Sequence, residues 1–112
     1  MTEDGHRKAL DELRVSRGRL VPAEDIRAYT ELSFGRAFQL ICVGAQRRYG
    51  AHRERHEGLV GWLRGQGEPD AAGAFEDLES LRLGRWYGRQ GNGDTAATID
   101  GLLAKLEAWA MV

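Results

Sequence analysis

The chain has one cysteine, two prolines, two lysines and few β-branched residues, and each scarcity excludes something. A single cysteine forbids an internal disulfide. Apolar runs such as Leu40–Val43 fall far short of the ~20 residues that span a bilayer. The opening Met-Thr-Glu-Asp-Gly contains no apolar stretch of the signal-peptide kind, so a cytoplasmic protein is the expectation. Net charge is only -1 over 112 residues, which excludes a histone-like global attraction to nucleic acid but leaves room for a local basic patch. A serine-hydrolase Gly-x-Ser-x-Gly turn and a Gly-x-x-x-x-Gly-Lys phosphate loop are both missing. Val, Ile and Thr together number 12, against 14 Ala and 13 Leu, and no segment alternates apolar and polar residues as a half-buried strand does.

What is present points to one all-α domain, an up-and-down bundle of four to five helices. Leu10, Leu13 and Leu20 mark a first helix over about 2–17. The second, about 22–49, begins at Pro22, with Glu24 and Asp25 in its first turn. It is apolar over a wide arc that includes Ile26, Tyr29, Phe34, Phe38, Leu40, Ile41 and Ala45, as a central helix must be. Cys42 lies within that arc and is expected to be a core residue, kept protonated and inert by its surroundings. A third helix over about 52–64 carries Leu59, Val60, Trp62 and Leu63. A fourth over about 70–83 carries Ala74, Phe75, Leu78 and Leu81. The last is capped by Asp94 or Thr95 and carries Ile99, Leu102, Leu103, Leu106 and Ala110. Glycine is the excess: 15 residues, about twice the usual ~7%. Gly35, Gly44, Gly58, Gly61 and Gly101 fall inside helical patterns, so helices approach closely there or the fold is of modest stability.

Three groups of residues could carry chemistry. His52 and His56 have the four-residue spacing of a two-histidine metal site, but arginines surround them, and no metal or other cofactor is expected. Arg47-x-x-x-x-His52 could serve a metal-independent ribonuclease, with His52 as general acid or base and Arg47 stabilising the phosphorane. The segment Leu81-Arg82-Leu83-Gly84-Arg85-Trp86-Tyr87-Gly88-Arg89 alternates cations with two large aromatics before a Gly-rich loop. Guanidinium groups suit phosphate and aromatic faces suit bases, so Arg82, Arg85 and Arg89 with Trp86 or Tyr87 form a candidate nucleotide or RNA site. Arg47, Arg48 and His52 could supply its opposite wall.

Three features together resemble the HEPN family (higher eukaryotes and prokaryotes nucleotide-binding). They are the Ala- and aromatic-rich helix Phe34–Ala45, the turn Gly50-Ala51-His52, and the stretch Leu81–Tyr87 ahead of the last helix. The resemblance covers about 31–109. It implies a helical bundle that forms a homodimer and binds a nucleotide, RNA or a protein partner, such as a nucleotidyltransferase in a toxin–antitoxin or defence pair. Ribonucleases of that family carry an arginine followed within a few residues by a histidine at the start of the last long helix. Here Arg85–Asn92 contains no histidine, so the resemblance implies a noncatalytic module. A third reading is a structural interaction protein whose Gly-rich helices bury a face on another chain.

Overall fold

A computed structural model describes residues 2–52, 55, 57–83 and 91–111. Five helices account for most of them, α1 (Glu3–Gly18), α2 (Ile26–Tyr49), α3 (Leu59–Gly65), α4 (Pro69–Arg82) and α5 (Asn92–Met111), and the described residues contain no strand. The long helices alternate in direction. His6 meets Gln39 while Arg17 meets Ser33, so α1 runs antiparallel to α2. Tyr49 meets Glu68 while Glu31 meets Arg82, so α4 does too. Tyr29 meets Asp100 while Arg47 meets Ala110, so α5 runs parallel to α2. This is the up-and-down bundle that the composition predicts. No helix among the described residues is long and apolar enough to cross a membrane.

At 1.5 Å per residue the 24 residues of α2 span about 36 Å, nearly the full 39 Å length of the molecule. Helices α1, α4 and α5 all pack on it, and Ala37, Leu40, Ile41, Cys42, Val43 and Ala45 are wholly buried. From α4, Phe75 and Leu78 fill the core, Phe75 lying 5.0 Å from the ring of Phe34. From α5 the expected stripe Ile99, Leu102, Leu103, Leu106 and Ala110 is buried throughout.

The helix ends depart from the sequence reading where side chains compete for the backbone. Thr2 is the N-cap of α1, its Oγ1 accepting from Gly5 N–H at 3.1 Å. Helix α2 starts at Ile26 and not at Pro22. The Asp25 carboxylate turns back to accept from Val21 N–H at 2.8 Å, closing a separate turn over 21–25, so Glu24 and Asp25 precede the helix. Helix α3 starts at Leu59, not near His52. Gly50 closes α2 at φ 66° and Gly58 opens α3 at φ 76°, both left-handed conformations that a Cβ disfavours. His52 therefore lies outside the described helices, and His56, the other member of the inferred helical face, is outside the described residues. Helix α5 begins at Asn92, ahead of the expected caps. Thr95 is buried inside it, its hydroxyl donating to Gly91 O at 3.1 Å.

Candidate metal centre

One face of α2 carries Gln39, Cys42 and Gln46, spaced by three and four residues, and α1 lies against it. His6 of α1 is 2% exposed and faces this row. Gly50 turns the chain so that His52, in the connection beyond α2, folds back over the same row. Gln39 Oε1 lies 2.6 Å from His6 Nδ1, and Gln46 Oε1 lies 2.8 Å from His52 Nδ1. The two Nε2 atoms point at each other across 3.1 Å, with the rings at 89°. Cys42 completes the group: one donor atom from each of His6, Cys42 and His52 lies within 4.8 Å of the others.

The glutamine carbonyls decide the chemistry. An amide oxygen accepts, so each Nδ1 carries its ring's proton and each Nε2 presents a lone pair. Two lone pairs at that separation call for a positive centre, either a proton shared between them or a metal ion. Metal-bound histidines characteristically donate the distal N–H to an oxygen in this way, which fixes tautomer and ring orientation. Two nitrogens each bonded to zinc at 2.0–2.1 Å in a tetrahedron sit roughly 3.3 Å apart, close to what is seen here. A coordinating thiol is deprotonated when it binds a metal, which makes the neighbouring Cys42 the third candidate ligand.

Sequence reasoning singles out His52 with His56 and Arg47, whereas the structure brings His52 together with His6 and Cys42. His6, Cys42 and His52 are 36 and 10 residues apart and match no ligand motif, because the site is assembled across α1, α2 and a loop. The available signal was the polar pair Gln39 and Gln46 flanking Cys42 on one side of α2.

Of the arginines expected to line a phosphate site, the described ones, Arg47, Arg48 and Arg82, are engaged within the chain. Arg47 donates to Ala110 O at 3.1 Å and Arg48 to Trp109 O at 2.7 Å, so the end of α2 satisfies the last carbonyls of α5. Arg48 also stacks 4.9 Å from the Trp109 ring and lies 3.7 Å from Glu68. Glu68 accepts from Tyr49 and from Trp109 Nε1; the Tyr49 hydrogen bond is the main cause holding its carboxyl below the usual range. Arg82 donates to Glu31 at 3.1 Å and lies 4.8 Å from the Phe34 ring. Glu31 and Arg47 are separated by about 24 Å along α2, so Arg82 and the Arg47–Arg48 pair do not line a common cleft. Arg85, Trp86, Tyr87 and Arg89 lie outside the described residues.

Comparison with known proteins finds no matching family model, no matching curated protein and no matching solved structure.

Proposed function

We propose that the bundle is a metal-binding module that holds a zinc-like transition-metal ion through His6 Nε2, His52 Nε2 and Cys42 Sγ. One observation carries the reading: both imidazoles commit Nδ1 to a glutamine and converge their Nε2 atoms, 3.1 Å apart, beside a buried thiol. Two imidazoles and a thiolate suit Zn2+ over Mg2+ or Ca2+, which take oxygen ligands. Zinc sites with three protein ligands complete their coordination with water or another donor. The metal reading is preferred to phosphate binding because Arg47, Arg48 and Arg82 are bonded within the chain.

The test is titration of the metal-free protein with Zn2+ by calorimetry and with Co2+ by absorption. The expected result is one ion per chain and a cobalt–thiolate charge-transfer band that Cys42→Ser abolishes. Gln39→Ala, which removes the oxygen orienting His6, should weaken binding about 10- to 100-fold. A folded wild-type chain that takes up neither ion at stoichiometric concentration overturns the reading.

A further inference from the structure

We infer that metal occupancy controls the docking of α1 on the bundle, an inference that rests on the metal reading above. The three ligands come from three segments: His6 from α1, Cys42 from α2, and His52 from the connection after α2. Of the two helices among them, α1 buries far fewer side chains than α2. Its main packing partner is α2, with Arg17 reaching Asp100 of α5, and its buried side chains are His6 and Leu10. Helix α5, by contrast, buries seven residues against α2 and α4. Polar contacts hold α1 at both ends. At its C-terminal end Arg17 donates to Ser33 Oγ at 2.7 Å and to the Tyr29 hydroxyl at 2.6 Å, and pairs with Asp100. At its N-terminal end the attachment is His6, through Gln39 and His52.

An ion that needs His6 in place binds the docked state and not the undocked one. Mass action then shifts the equilibrium: at free metal 100 times its Kd, the open population falls about 100-fold. Most of the apolar core comes from α2, α4 and α5, to which α1 adds Leu10, so the effect is concentrated in α1. Undocking would uncover the α2 face of Gly35, Gln39, Cys42 and Gln46, so the device converts metal level into exposure of one helix face.

Amide hydrogen exchange of the full chain, with and without saturating Zn2+, tests this directly, with native mass spectrometry of the same samples counting bound ions. Zinc should slow exchange in residues 3–18 about 100-fold and leave residues 92–111 unchanged. His6→Ala should exchange rapidly in α1 whether or not zinc is present. Bound zinc with unchanged α1 exchange, or with equal slowing in every helix, overturns the docking inference and leaves the metal site standing. No bound zinc removes both.

Discussion

The two sides of α2 are built on different principles. Toward α4 and α5 it presents Phe34, Ala37, Leu40, Ile41 and Ala45, all buried in a continuous apolar core. Toward α1 it presents Gly35, Gln39, Cys42 and Gln46, where hydrogen bonds through His6 share the seam with the apolar side chains of Leu10 and Leu13. Two glycines show the contrast. A Cβ at Gly44 would collide with the indole ring of Trp109, so α5 lies as close to α2 as a side chain allows. A Cβ at Gly35 would meet Leu13 at 3.6 Å, an ordinary contact, so α1 stands off. A close-packed seam derives its strength from burial and tolerates little change in volume. A polar seam derives it from partners that must all be present, and it can be switched.

The largest expected effect is on the apolar side. Phe75→Ala removes a wholly buried ring that packs on Phe34, and should cost about 3–5 kcal/mol in urea unfolding, enough to threaten folding. Next comes the glycine pair. Gly44→Ala should cost about 1–3 kcal/mol through overpacking against Trp109. Gly35→Ala should be neutral or stabilise by up to about 1 kcal/mol through helix propensity. Equal effects at the two positions would erase the distinction between the seams.

The smallest effect is a pH dependence of the polar seam. The Tyr29 hydroxyl is pushed up from 10.0 to about 12, first by burial and then by its hydrogen bond to Asp100. The folded state therefore holds this proton more tightly than the unfolded state does. Its contribution is complete below pH 10.0 and is lost as the pH rises from there toward about 12. Melting temperatures across that window should fall less steeply for Tyr29→Phe than for the wild type. Parallel curves would show that the alkaline loss arises elsewhere.

Element type and core membership were largely legible in the sequence. Periodicity alone identifies Phe34, Ile41, Phe75, Leu78, Ile99 and Leu106 as core, because a helix that buries one face repeats its apolar residues at three and four. Helix starts were less legible. Asp25 looks like a residue of the first helical turn, and whether it caps α2 or closes the turn before it depends on the chain direction at Val21. A Cβ at Gly44 would meet the ring of a partner helix, which no local pattern distinguishes from Gly61 or Gly101, where a Cβ would meet nothing within 4 Å.

The sequence by itself determined an all-α bundle around a central helix over about 22–49, since Ala- and Leu-rich periodic segments have no other way to bury their apolar faces. The tertiary structure alone decided the candidate site. His6, Cys42 and His52 lie far apart along the chain, and what joins them is the antiparallel return of α2 along α1 and the left-handed turn at Gly50. Local pattern records how a segment folds upon itself. A ligand set drawn from three segments exists only once those segments have packed.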